Sequence, residues 1–174
     1  MTSSLAIGPL QAYRCWRVEW QDRLPVLGSL FHSTVWPPAG PLRARCEKSP
    51  GSLAAWIRRR FFRPMETHAA PAWNCECGIY AFAGLQQDEA LELSPQFYQR
   101  GPVDRVMRVA GVVQLWGRVV QHEHGYRAEY ARPLKVLAGP SLTRLRVAGD
   151  LLDAIADRYA IQLVTRAEDL ARAA

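Results

Sequence analysis

Val106-Met-Arg-Val-Ala-Gly-Val-Val-Gln-Leu-Trp-Gly-Arg-Val-Val120 is rich in valine and interrupted by Gly111 and Gly117. His122-Glu-His-Gly125 then supplies a turn, and Tyr126-Arg-Ala-Glu-Tyr-Ala-Arg-Pro133 runs back. Branched and aromatic residues suit a pleated, half-buried surface, and a glycine at the bend suits a tight hairpin. The reading is a long β-hairpin. Gly111 and Gly117 inside its first arm predict bulges or close backbone approach. Upstream, residues 12–20 alternate Arg14, Trp16, Val18 and Trp20 against Tyr13, Cys15, Arg17 and Glu19, the period of two expected of a strand. A second apolar run, Leu24 to Val35, is interrupted by Pro25 and Gly28, and Trp36-Pro-Pro-Ala-Gly-Pro41 is a turn-rich loop.

Shorter elements fill the remainder. A strand is expected over Leu42–Cys46 and another over Gly78–Phe82. Ser49-Pro-Gly-Ser52 opens an arginine-rich helix over Leu53–Phe62, closed by Pro64, and a second short helix is expected over Gly84–Leu93. Near the C-terminus, Asp150 starts a helix carrying Leu151, Leu152, Ile155 and Tyr159. A brief strand over Ile161–Val164 follows, and Thr165-Arg-Ala-Glu168 has the spacing that opens a last helix. These elements predict one α+β domain over residues 1–174, a mainly antiparallel sheet with short flanking helices and a metal-binding loop. A chain of 174 residues, 49% hydrophobic, is long enough for such a core.

The metal expectation comes from His68-Ala-Ala-Pro-Ala-Trp-Asn-Cys75-Glu-Cys77-Gly78 together with Cys46 upstream. Three thiolates and one imidazole are a donor set that tetrahedral zinc takes in closed structural sites. Cys75 and Cys77 enclose a single residue, so an extended backbone puts both on one side, and Gly78 permits a bend that turns both sulfurs toward one ion. Pro71 and Asn74 mark the intervening segment as loop, freeing His68 to fold back. Cys46 must arrive from elsewhere. The alternative is that these cysteines are small hydrophobes and His68 lies on a surface loop. Cys15, within a strand, is read as a core residue. Zinc is preferred to an iron–sulfur cluster, which is usually held by four cysteines. A catalytic metal needs an open position and a base nearby, and neither Glu66 nor Glu76 is suitably spaced.

Charge is the second signal. The net +6 resides wholly in residues 1–70, which hold ten Arg/Lys against four Asp/Glu. Its densest part is Trp56-Ile-Arg58-Arg59-Arg60-Phe-Phe-Arg63, in which Arg58, Arg59, Arg60 and Arg63 are candidates to meet nucleic-acid phosphates or an acidic protein surface. Twenty of the 22 basic residues are arginine, so an ordinary solvated helix face is the competing reading. His122 and His124 are expected at an exposed hairpin tip rather than as an acid/base pair with Glu123. Arg118, Glu123, Arg127 and Glu129 are expected to pair across the hairpin arms. The tryptophans are read mainly as core, with a ligand cage as the lesser alternative.

No segment reaches the ~20 apolar residues of a membrane-spanning helix, and the N-terminus lacks the basic and apolar regions of a signal peptide. A cytoplasmic location, with reduced cysteines, is the expectation. No phosphate-binding glycine loop, dinucleotide fingerprint or nucleophile elbow occurs. The strings Cys75-Glu-Cys-Gly-Ile-Tyr-Ala81 and Leu115-Trp-Gly-Arg-Val-Val-Gln-His122, the latter running into Gly125-Tyr-Arg-Ala-Glu-Tyr-Ala131, resemble a group of small actinobacterial-type proteins with no established activity. The likeness covers mainly residues 46–135 and implies a self-standing domain without implying a reaction. The functional expectation is a non-enzymatic, metal-stabilised binding or accessory module that contacts nucleic acid or a protein–nucleic-acid assembly. The competing expectation is a metal- or iron–sulfur-dependent enzyme or redox protein using the Cys/His cluster.

Overall fold

A computed structural model describes residues 9–30, 32–46, 68–84, 96–99, 105–138 and 146–171. Its strands are β1 (Leu10–Gln21), β2 (Leu24–Ser29), β3 (Leu42–Arg43), β4 (Ile79–Phe82), β5 (Gln96–Gln99), β6 (Arg105–His122), β7 (Gly125–Leu137) and β8 (Gln162–Val164). The helices among the described residues are α1 (Arg146–Tyr159) and α2 (Ala167–Ala171).

The hairpin is the spine of the molecule. β6 and β7 pair from Gly111–Val136 to His122–Gly125, with a two-residue turn at Glu123 and His124. Register shifts occur between Val112 and Val113 and between Trp116 and Val119. The second spans Gly117, whose φ of 76° is left-handed and suits only a residue without a Cβ clash. β1 lies antiparallel on the other edge of β6, from Leu10–Leu115 to Arg17–Arg108. β1 then continues into pairing with β2. β4 pairs β7 over Ile79–Ala128 to Phe82–Gly125 and returns to β1 at Tyr13–Phe82. The pairings β1–β6–β7–β4–β1 therefore close a ring, which removes most of the open edge a flat sheet would leave.

The α+β expectation is overturned. Eight strands and two helices occur among the described residues, and every strand pairing except the parallel β7–β8 contact is antiparallel, so the fold is all-β-like. The physical reason lies in length: the β-branched segments extend into an 18-residue β6 and a 13-residue β7, whereas α2 has only 5 residues. The helices expected over Leu53–Phe62 and, Gly84 apart, over Gly84–Leu93 lie outside the described residues. α1 begins at Arg146, a turn before the expected Asp150, and the Leu42–Cys46 strand shortens to Leu42–Arg43.

Two layers of apolar side chains cover the sheet's faces. The larger core gathers Trp16, Val18, Leu27, Trp36, Val109, Val113, Leu115, Ala131 and Val136, with Leu152, Ile155 and Tyr159 of α1 closing it. Trp16 and Trp36 are both fully buried and meet edge to face, ring centres 5.5 Å apart. A smaller core of Ala110, Val112, Leu137, Val164 and Leu170 lies under α2 and β8, and Cys15 packs against it as expected of a small hydrophobe. Tyr159 ties α1 to the sheet by more than packing. Its buried hydroxyl accepts from the Leu27 N–H and donates to the Trp36 carbonyl, both at 2.8 Å.

Candidate metal centre

β3 and β4 lie along the same edge of β7, β3 at Tyr130–Ala131 and β4 at Gly125–Ala128. The Ala44 N–H donates to the Glu129 carbonyl at 2.7 Å, carrying the chain on from β3 toward the start of β4. Cys46 follows that contact, and Cys77 with Gly78 immediately precedes Ile79. The two short strands thus deliver their cysteines to one place. The loop between supplies the rest: Pro71 follows a cis peptide bond, and the Cys75 N–H donates to the Ala72 carbonyl at 3.2 Å.

Cys46, His68, Cys75 and Cys77 meet there, each half-buried, with one ligand atom apiece and all four atoms within 4.8 Å of one another. The sulfurs of Cys46 and Cys75 are 3.8 Å apart, and His68 Nε2 is 3.2 Å from the Cys77 sulfur. A tetrahedron with metal–sulfur bonds of ~2.3 Å has edges of ~3.8 Å, so the sulfur pair already has the separation such a site requires. No disulfide links these cysteines. These four residues form a group that can hold a metal ion.

The cluster's electrostatics move its thiols in opposite directions. The Cys75 thiol is lowered to about 7, first because the Cys77 backbone N–H donates to its sulfur and then through donors on Cys77, Cys46 and His68. Cys46 is pushed up, first by burial and then by the neighbouring thiols, which disfavour a further negative charge. A cation at the centre relieves that repulsion.

Two arginines hold the loop. Arg127, buried on β7, directs its guanidinium at the carbonyls of Cys75, Cys77 (3.1 Å) and Ala72 (3.4 Å), while its Nε donates to His122 Nε2. Arg118 donates to the carbonyls of Ala69 at 3.0 Å and Pro71 at 3.5 Å. Gly78, with φ 132°, lets the chain pass close to this clamp; a Cβ there would stand 3.0 Å from the Arg127 Cβ and 3.1 Å from the Pro71 Cβ. The charge pattern predicted cross-strand ion pairs for these arginines. Instead Arg127 serves the loop, and Glu129 faces Arg43 at 3.6 Å and the Arg118 N–H at 3.4 Å. A sequence signal for the clamp would have been two arginines on a hairpin opposite a cysteine loop, which becomes specific only once the register is known.

The other candidates separate clearly. Arg58, Arg59, Arg60 and Arg63 lie outside the described residues. Glu123 and His124 sit at the exposed hairpin tip, 3.8 Å apart, and form no enclosed acid/base site. Of the described tryptophans, Trp16 and Trp36 are core, Trp20 and Trp73 are exposed, and Trp116 is half-buried and stacked on Tyr130. No helix among those residues is long and apolar enough to cross a membrane. No protein-family model, curated protein or solved structure matches this chain. Fold and site together define an all-β-like domain with a Cys3His group at the junction of two short strands.

Proposed function

We propose that this chain is a non-enzymatic, zinc-stapled β module that contacts nucleic acid, alone or within a protein–nucleic-acid assembly. The observation that carries the metal reading is the convergence of three thiols and one imidazole within 4.8 Å. Four protein donors complete a tetrahedron and leave no position for substrate, which favours a structural over a catalytic role. Three thiolates and a neutral imidazole around Zn2+ leave one net negative charge, beside which the buried Arg127 is favourably placed. The nucleic-acid reading draws on charge. Cys46 and His68 bracket residues 47–67, which include Arg58, Arg59, Arg60 and Arg63, so a metal on that pair fastens both ends of the most basic stretch of the chain.

Elemental analysis of protein purified without added metal tests the first half, with about one zinc per chain expected. Iron with visible absorbance would instead establish the redox reading, and a folded protein free of metal would remove the staple. For the second half, affinity for DNA or RNA should fall steeply with salt, with a slope near the number of phosphates neutralised. Replacing Arg58, Arg59, Arg60 and Arg63 together with Ala should reduce that slope while leaving the fold intact. A quadruple variant that binds like the parent would leave the cluster as a solvated face.

A further inference from the structure

On the outer face of the sheet, Arg43, Tyr130 and Trp116 stand in register across three neighbouring strands. Arg43 is opposite Tyr130 in the β3–β7 pairing, and Trp116 is opposite Tyr130 in the β6–β7 pairing. Since β7 runs between β3 and β6, the two partners flank Tyr130 from opposite sides. The rings of Trp116 and Tyr130 stack, centres 5.9 Å apart and planes 15° from parallel, and the Arg43 guanidinium lies 5.6 Å from the Tyr130 centre. Trp116 also lines an open cleft whose walls include Pro37, Pro38, Pro41, Gln114 and Arg132. Gln114 and Arg132 form the adjacent outward pair, and Arg132 Nε donates to Gln114 Oε1 at 2.8 Å, fixing the guanidinium beside the tryptophan.

We infer that this face is a second nucleic-acid site, in which an unpaired base of single-stranded DNA or RNA stacks on Trp116 in the cleft while Arg132 meets a flanking phosphate. The inference rests on the reading of the chain as a nucleic-acid-contacting module. Aromatic rings on a sheet face with arginines beside them are how single strands are gripped without sequence preference, since every base has a π-face. Charge selects this occupant over a proline-rich peptide, which would also suit a cleft with aromatic and proline walls. Arg43 and Arg132 flank the stack, and the Glu129 carboxylate there faces Arg43 at 3.6 Å. Single-strand binding is the coherent expectation because a duplex buries its base faces.

Fluorescence anisotropy with a short labelled oligothymidylate, read against an abasic oligomer of equal charge and against duplex, tests the site. Wild type should prefer oligothymidylate to both. Trp116→Ala should weaken it roughly 5- to 100-fold and abolish the preference over the abasic strand. Arg132→Ala should lower the salt slope by about one and leave the base preference in place. Equal affinity for oligothymidylate and the abasic strand in wild type overturns the inference without any variant, so a misfolded Trp116→Ala does not shield it. Unchanged binding by a folded Trp116→Ala also overturns it, as does capture in this cleft of a proline-rich peptide that leaves oligothymidylate binding unaffected. Loss of all binding in the Arg58, Arg59, Arg60 and Arg63 variant, with Trp116→Ala unaffected, would reject this site while sustaining the broader function. No binding by wild type at low salt would reject both.

Discussion

At the residue scale, Arg127 and Tyr159 do the most with single side chains. The Arg127 guanidinium reaches three carbonyls of the metal loop and His122 at once, a geometry that needs a planar fork of donors. Lysine keeps the charge but offers a single point of contact. Arg127→Lys should therefore retain the fold yet bind the metal more weakly than wild type, seen as faster zinc transfer to a chromophoric chelator; equal transfer rates would show that charge alone suffices. Tyr159 is the simpler case. Its hydroxyl satisfies the Leu27 N–H and the Trp36 carbonyl in the buried core. Tyr159→Phe keeps the ring's packing and leaves both backbone groups unpaired, so unfolding free energy should fall by about 1–3 kcal/mol. Denaturant midpoints measured with an unchanged m-value check this, and a change within experimental error would mean that water replaces the hydroxyl. Burial pushes the Tyr159 phenol above its ordinary value, so its hydroxyl stays a donor further into the alkaline range.

Among the elements, the long hairpin was the most legible and the ring closure the least. Valine-rich arms around a glycine bend announce β6 and β7, and alternation along residues 12–20 announces β1, although Arg17 is buried along with its neighbours Trp16 and Val18. Trp20 departs from the reading of the tryptophans as mainly core: it is 66% exposed, because β1 there runs beyond β6 and pairs only the edge strand β2. Nothing local announces that β4 returns to β1 at a single pair, Tyr13–Phe82, since strand partners distant in sequence leave no periodic trace. Three of the four clustered metal-ligand candidates were readable as a short string. Residue type names Cys46 as the fourth, and the structure places it there, but its arrival is not legible locally because it depends on the β3–β7 register. The fold class was missed because the extent of the strands was under-read: β6 and β7 run 18 and 13 residues and make the described residues mostly antiparallel sheet. The bulge at Gly117 offers an element-scale prediction. A Cβ there would stand 2.8 Å from Tyr130 Cδ2 and 3.1 Å from the Glu129 Cβ, at a φ of 76°. Gly117→Val should destabilise by at least ~1–2 kcal/mol and disturb the Trp116–Tyr130 stack. Urea unfolding with near-ultraviolet circular dichroism reads both effects, and a neutral result would mean that the bulge can relocate.

At the scale of the whole molecule, the metal group stands where the sheet is thinnest. β3 contributes 2 residues and β4 contributes 4; both lie along one edge of β7, and β4 meets β1 at the single pair Tyr13–Phe82. Strands that short bury too little to hold themselves against chain entropy, whereas a bound metal turns its binding free energy into folding free energy for the segments it joins. The hairpin with β1 has no such need, since long pairings and the Trp16, Val109, Val113 and Leu115 core support it. Removing the metal should therefore act unevenly. With a chelator at neutral pH, amide exchange is expected to rise first at Leu42, Arg43 and Ile79–Phe82, while Val109–Leu115 stays protected until global unfolding. The thermal midpoint should fall and recover when zinc is restored, because RT ln(1 + [L]/Kd) adds to stability only while the site binds. Cys77→Ser should reproduce the same exchange pattern without chelator. If exchange instead rose evenly across all strands, the domain would fold as one unit around the metal. If it did not rise at all, the ring of strand pairings would be self-sufficient, and the four ligands would serve something other than stability.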